Sequence, residues 1–335
     1  MYYIKDSICY ICSSELDILH IMKKKLFLLD AFALIYRAHF AFIKNPRINS
    51  KGLNTSAILG FTNSLLEVIN NHNPTHLVVA FDPPGGSNRE ETFSDYKANR
   101  QEMPEDIRAM IEPIKRVVEA LKIPILLKSG FEADDIIGTL AKQAEKEGFK
   151  TFMVTPDKDF AQLVSENIFM YRPARMGNGI EIWGIPEVQA RFEIERPEQV
   201  IDYLGMMGDA VDNIPGIPGI GEKTATKLVQ EFGSLEGLLA NTDKLKGKQK
   251  ENVENNTDIA LLSKKLATII LDVPIELEEE RLALRAFNKD KIREVFEELE
   301  FRALLKRVIG EEPASDKAVA SSTMPVLSKT LSKAV

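Results

Sequence analysis

The chain has 335 residues, 44% of them hydrophobic and 28% charged, with 16 Pro and 19 Gly, a globular composition that fits two domains, or one with an appendage, around a core that needs no disulfides. Its two cysteines, Cys9 and Cys12, exclude a disulfide framework and suit a reducing compartment; their CxxC spacing is half a zinc site, with no second CxxC or HxxxH to complete it. No apolar run reaches the ~18–20 residues needed to span a bilayer, and the formal net charge of −7 argues against DNA binding only if it is averaged over a surface whose acids and bases are not segregated.

Residues 1–21 lack the basic start and small-residue cleavage site of a signal peptide. They are expected to be an extension from an upstream start codon, with the fold beginning near Met22. Residues 26–29 form a short apolar run that reads as a buried strand ending in Asp30. Residues 55–70 carry helical periodicity, with Ile58, Phe61, Leu65, Leu66 and Ile69 on one side. Residues 76–81 read as a second buried strand, followed by Asp82 and then by the chain breakers Pro83, Pro84, Gly85 and Gly86. A helix is predicted over 104–121, a strand over 123–127, and a helix over 132–147 closed by Gly148. A fourth strand over 151–154 runs into Thr155-Pro-Asp157-Lys-Asp159, and 168–171 reads as a fifth.

Strands alternating with helices predict a parallel α/β sheet. Ligands of such sheets sit beyond the carboxyl ends of the strands, where Asp30, Asp82 and Asp157 fall. From about residue 186 the strand signals stop. Residues 186–310 read as mainly helical, with a Gly/Pro-rich hairpin at 213–221. Residues 311–335 are rich in Pro, Ala, Ser and Lys without an apolar period, and read as a linker or disordered tail.

The acids are the chemical signal. Asp30, Asp82, Glu132, Asp134, Asp135, Asp157, Asp159, Asp209 and Asp212 form the candidate set. A lone Asp after a strand is usually a cap or a solvated turn. Here Glu132-Ala-Asp134-Asp135 crowds acids into one first helical turn, Asp157 and Asp159 point the same way if extended, and Asp209 and Asp212 share a face if helical. Crowded carboxylates stay ionised at neutral pH only with a compensating cation. Oxygen ligands without His or Cys select Mg²⁺, with Mn²⁺ as a substitute, over zinc. Two such ions about 4 Å apart are the usual device for phosphodiester cleavage.

With these residues in place, the sequence resembles the 5′-nuclease domain of bacterial DNA polymerase I and, more distantly, the flap endonucleases. The resemblance runs from about Lys23 to Gly310. It rests on Leu-Leu-Asp30-Ala-Phe-Ala-Leu-Ile-Tyr36-Arg37-Ala, Val-Ala-Phe-Asp82, Tyr96-Lys97-Ala-Asn-Arg100, Gly130-Phe-Glu132-Ala-Asp134-Asp135, Thr155-Pro-Asp157-Lys-Asp159 and Met207-Gly-Asp209-Ala-Val-Asp212-Asn213, in this order. It implies a PIN-like parallel sheet flanked by helices over 22–185, an arch or clamp near 84–112, and a helical DNA-binding region over 186–310 with a helix-three-turn-helix near 203–232. It implies Asp30, Asp82, Glu132 and Asp134 as ligands of a first metal, directly or through water. Asp135, Asp157, Asp159, Asp209 and Asp212 would complete the site and hold a second ion. Lys97 and Arg100 resemble a pair that contacts the scissile phosphate, as cations do for a transferring phosphoryl group; a solvated basic face is the plainer alternative. Tyr36 matches an aromatic on which a base could stack, worth ~1–3 kcal/mol, and a half-buried core tyrosine fits it equally. Arg37 and Arg89 are expected to touch DNA, Arg89 on the arch.

Gly216-Ile-Pro-Gly219-Ile-Gly221-Glu-Lys223-Thr224 resembles the family's phosphate-gripping hairpin. Glycines admit a phosphate close to the backbone, the following helix N-terminus favours an anion, and Lys223 adds charge. The loop carbonyls are expected to hold K⁺. Such a grip reads phosphates and not sequence. The expected function is a structure-specific 5′-nuclease acting on flaps, nicks and RNA primer ends in replication and repair. The enzyme is expected to be a monomer at the nucleoid in the cytoplasm, with no membrane contact. The ending at Val335 is expected to fall within a linker, with polymerase domains in a longer chain, and a free-standing nuclease is the alternative that length leaves open. A DNA-binding scaffold without catalysis would lack some of the acids. A small-molecule phosphatase would have no use for the hairpin or the basic pair.

Overall fold

The computed structural model describes residues 24–173 and 179–310. The readings of 1–21, of Cys9 and Cys12, and of 311–335 lie outside these residues. In chain order the first part runs β1 (Lys25–Asp30), α1 (Ala31–Phe42), α2 (Ser56–His72), β2 (His76–Ala80), α3 (Asn88–Thr92), α4 (Glu105–Ala120), β3 (Ile125–Leu126), α5 (Ala133–Lys146), β4 (Lys150–Val154), a 3₁₀ turn (Lys158–Leu163), β5 (Ile168–Arg172) and β6 (Glu181–Trp183). Helices follow: α6 (Ile185–Phe192), α7 (Gln199–Met207), α8 (Glu222–Phe232), α9 (Leu235–Leu239), α10 (Gly247–Asn255), α11 (Thr257–Ala267), α12 (Glu279–Leu282), α13 (Lys289–Glu298) and α14 (Arg302–Ile309).

The six-stranded sheet has the order β3-β2-β1-β4-β5-β6. Strands β1 to β5 pair in parallel, as their apolar runs predict for strands covered on both faces. Strand β6 corrects the all-parallel expectation, pairing antiparallel to β5. The connection over 173–180 is too short for the crossover of a dozen or more residues that parallel pairing needs. Strand β2 is buried at every position; each fully buried Leu or Val contributes ~1.5–3 kcal/mol.

One face of the sheet packs on α1, α2 and α4, and the other on α5 and the helices from α6 to α11. Helices α13 and α14, expected within the helical region, return to the first face. Ile292, Val295 and Phe296 there join the core of Ile114 and Val117 of α4, and Arg116 pairs with Glu298 at 2.6 Å. Periodicity showed that these helices were amphipathic but not which surface they would meet. Because β1, β2 and β4 end side by side, Asp30, Asp82 and Asp157 come together at one edge of the sheet.

Candidate functional site

That edge opens into a cavity of about 550 Å³ lined by Asp30, Asp82, Glu132, Asp134, Asp157, Asp159 and Asp212, with Lys97, Arg100 and Tyr36 also on its wall. Asp30 ends β1 and caps α1, accepting from the Ala33 N–H at 3.1 Å and the Thr155 hydroxyl at 3.1 Å. Burial, with the charges of Asp82 and Asp157, pushes its pKa up to about 7. Asp82 accepts from the Ala133 N–H at 2.7 Å, which ties it to the start of α5, and burial pushes it up as well.

Glu132 is the hub. Its carboxylate accepts from the Ser87 hydroxyl at 2.9 Å, the Tyr96 hydroxyl at 3.2 Å and Lys97 Nζ at 2.8 Å. Burial works to raise its pKa, but Lys97 and Arg89 outweigh it and hold Glu132 below the ordinary range. Asp134, two residues on, lines the cavity with no ion-pair partner among the described residues and is pushed well up by burial and by Glu132 and Asp135.

The expected geometry of the remaining acids needs correction. Asp157 and Asp159 are not on an extended segment. Asp157 caps the 3₁₀ turn by accepting from the Asp159 N–H at 3.0 Å, and both carboxyls are raised by burial. Asp209 and Asp212 are not on a helix. Helix α7 ends at Met207, and they lie in a turn closed by mutual hydrogen bonds between Asp209 and Ile214. Arg100 and, at 3.9 Å, Lys97 hold Asp212. Lys158 holds Asp209 at 2.8 Å and, against burial, keeps its pKa low.

Asp135 is not in the cavity. It is fully buried and paired through both oxygens with Arg89, at 2.8 and 2.7 Å, so neither side chain is where the sequence reading put it. Arg89 is itself buried, with guanidinium bonds to the Leu266 and Thr268 carbonyls and an ion pair with Glu132 at 3.3 Å. Asp135 points into the fold, its side chain also accepting from the Glu132 N–H at 3.1 Å. Arg37 is half-buried, faces Glu67 of α2, and does not line the cavity.

Within 84–112, expected as an arch or clamp, residues 95–99 hydrogen-bond to the turn at 210–213. The Lys97 N–H donates to the Asp212 carbonyl at 2.9 Å, Asn99 Nδ2 to Ala210 at 2.6 Å, and Asn213 Nδ2 to Asp95 at 2.6 Å. Lys97 adopts φ 58 and sets its ammonium 4.9 Å from the Tyr96 ring. Tyr36 is half-buried on the wall with exposed Phe40 beyond it, ring centroids 6.3 Å apart.

In the hairpin, Gly208 and Gly216 meet backbone to backbone. A Cβ on Gly216, at φ 63, would lie 2.4 Å from the Gly208 nitrogen, so only glycine fits. Gly219, Gly221 and Lys223 are exposed and Thr224 is half-buried at the start of α8.

Sequence reasoning missed Ser87, Thr155 and Lys158, which hold the acids, and assigned no role to Tyr96 although it sits in the motif. Adjacency to an assigned residue was the available signal for Tyr96 and Lys158. For Ser87 there was none.

Among the described residues no group of three acids stands as a ready metal cage. Lys97, Arg100 and Lys158 instead neutralise Glu132, Asp212 and Asp209. The donor set still fits a hard divalent ion. Among the described residues Asp30, Asp82, Asp134, Asp157 and Asp159 have no ion-pair partner and Asp159 Oδ1 is buried without a hydrogen-bond partner, and all five carboxyls are raised. Surplus buried carboxylate charge of this kind is what such an ion offsets.

Comparison with known proteins gives a consistent result. Residues 25–193 match the 5′-3′ exonuclease N-terminal resolvase-like domain and residues 195–290 the 5′-3′ exonuclease C-terminal SAM fold. A 5′-3′ exonuclease of Aquifex aeolicus is 38% identical over 85% of this chain and 95% of its own length. DNA polymerase I of Bacillus caldotenax is 40% identical over 88% of this chain, which spans 33% of that polymerase. Among solved structures, T5 5′-exonuclease with bound divalent metal ions (zinc) aligns with TM-score 0.63 at 17% identity, covering 83% of this chain and 99% of that one. The catalytic core of Rad2 in complex with DNA substrate aligns with TM-score 0.57 at 17% identity, covering 88% and 91%. At these identities the two structures establish the fold. The sequence matches establish more: this chain belongs to the 5′-3′ exonuclease family.

Proposed function

We propose that the chain is a divalent-metal-dependent, structure-specific 5′-nuclease that hydrolyses DNA phosphodiesters at 5′ flaps, nicks and primer ends. The observation that carries this reading is the convergence of Asp30, Asp82, Asp134, Asp157 and Asp159, raised and without ion-pair partners among the described residues, in one cavity walled by Lys97 and Arg100. Two Mg²⁺ ions, with Mn²⁺ as a substitute, would activate water and stabilise charge on the reacting phosphate. Asp30, Asp82, Asp134, Asp157 and Asp159 would hold them, with Glu132, Asp209 and Asp212 joining as their basic partners turn to the substrate.

The chain's own groups would do the rest. Lys97 and Arg100 exchange Glu132 and Asp212 for the scissile phosphate, placing cations where negative charge develops. Tyr36 offers a ring to a base beside the cut. Gly219, Gly221 and Lys223 present exposed backbone and charge to the duplex phosphates. The polymerase relatives are about three times longer than the matched span, so a role beside polymerase domains in replication and repair is part of the proposal. Action at the nucleoid in the cytoplasm and a monomeric state are proposed with it. Nothing in the acidic set favours an inactive scaffold.

The test is a 5′-labelled flap duplex incubated with EDTA, Mg²⁺ or Mn²⁺. Cleavage at the junction that requires the divalent ion supports the reading. Binding without cleavage in any ion would return the scaffold alternative.

A further inference from the structure

Residues 268–277 leave α11 and cross α5 without forming helix or strand. Backbone outside regular structure must find partners among side chains or water. Here a stripe of α5 supplies them. Asp135 accepts from the Ile270 N–H at 2.8 Å. Thr139 donates to the Ile270 carbonyl at 3.2 Å and accepts from the Val273 N–H at 3.3 Å. Gln143 takes the Ile275 carbonyl at 3.0 Å and the Leu277 N–H at 2.8 Å. These residues are spaced i, i+4 and i+8, one face of a helix. Gln162 adds bonds to the Ala267 carbonyl at 3.0 Å and the Ile269 N–H at 2.9 Å.

The other end of this strap reaches the hairpin. Ser263 of α11, fully buried, accepts the Gly216 N–H at 2.9 Å. Helix α11 also lies so close to α7 that a Cβ on Gly205 would sit 2.7 Å from the Lys264 Cβ. A continuous tie therefore runs from the hairpin, through α11 and the strap, to the helix whose first turn carries Asp134.

We infer that this strap is the spacer between the phosphate-gripping hairpin and the carboxylate centre, and that it sets which phosphodiester is cut. Thr139, Gln143 and Ser263 are its positioning residues. The inference rests on the nuclease reading above and deepens it. Successive phosphates of one strand lie about 3.4 Å apart along the duplex axis. A unique cut requires grip and centre to keep their spacing to well within that step. A strap tied along its length to one helix face meets the requirement, whereas a loosely solvated loop would not.

The test uses the Thr139→Val, Gln143→Leu double variant and Ser263→Ala, none of which touches the cavity. Flap products are read at single-nucleotide resolution, Mn²⁺ affinity by EPR, and amide exchange on the flap complex by mass spectrometry. Cuts displaced by one nucleotide should rise about tenfold in the double variant, the change expected when one or two buried hydrogen bonds hold the register. Mn²⁺ affinity should be unchanged, and Thr139→Ser with Gln143 intact, which keeps the hydroxyl, should keep the single product. In exchange, lost protection over 266–277 should spread to 213–221. A single cut position at reduced rate, or a loss of Mn²⁺ affinity, would overturn the inference. So would lost protection confined to the strap, a result that decides even if the wild-type protein cuts no flap, which would instead defeat the nuclease reading.

Discussion

Asp30 and Asp134 place carboxyls where water is scarce, and this makes them both useful and destabilising. The folded-state pKa of Asp30, about 7, lies above its ordinary value of 3.8, so between these limits the folded protein binds a proton that the unfolded chain has released. Its contribution to stability is full below about pH 4 and is lost as pH rises toward about 7. Burial pushes His72 and His76 down, which acts in the opposite sense over part of that range. Comparison with Asp30→Asn removes the carboxyl and leaves the histidines. With EDTA present, the stability of wild type minus that of Asp30→Asn should fall by up to about 1.4 kcal/mol per pH unit from about pH 5 to about pH 7 in urea unfolding. A flat difference would mean that Asp30 is ionised throughout. Asp134→Asn should raise the metal-free Tm by a few degrees, since folding no longer has to desolvate and protonate a carboxyl there. It should also lower cleavage by 10²–10³-fold or more while flap binding survives; a loss of both would mean that the residue holds the fold.

At the scale of elements, the first turn of α5 shows how far a sequence can be read. That Glu132, Asp134 and Asp135 crowd a helix start was legible, because an apolar stripe and a closing Gly148 framed it. Their directions were not, because they depend on partners far along the chain: Lys97 for Glu132, Arg89 and Ile270 for Asp135. The five parallel strands were legible because buried strands read as unbroken apolar runs. Strand β6, three residues long and largely exposed, gave no such run. The separation of Arg89 from DNA is testable. Arg89→Met should cost about 3–5 kcal/mol by leaving Asp135 buried and unpaired. Pairing it with Asp135→Asn, which removes the buried charge and keeps an oxygen for the Glu132 or Ile270 N–H, should recover part of that loss, whereas an Arg89 that served DNA alone would leave urea unfolding unmoved. The hairpin is the converse case, since its glycines were legible as turn formers. Gly216→Ala must displace the Gly208 backbone. Flap affinity should fall at least about tenfold, with Mn²⁺ binding unchanged.

For the whole molecule, a net charge of −7 meets a polyanion, and the fold reconciles the two by segregation. Asp30, Asp82, Glu132, Asp134, Asp157, Asp159 and Asp212 line one cavity, where divalent ions can offset them, and Lys97 and Arg100 stand on its wall while Lys223 stands on the exposed hairpin. Affinity should then depend on a few defined contacts and not on a broad basic face. Each phosphate neutralised by a cationic side chain contributes about 0.9 to the slope of log affinity against log salt. In an Asp134→Asn background at fixed Mg²⁺, where cleavage does not intrude, adding Lys97→Ala and Arg100→Ala should reduce that slope by about 1.8. Lys223→Ala alone should reduce it by about 0.9. A slope unmoved by the double change would mean that Lys97 and Arg100 keep Glu132 and Asp212 in the complex. They would then be structural counter-ions of the acidic cavity, and the phosphate grip would rest on the hairpin alone.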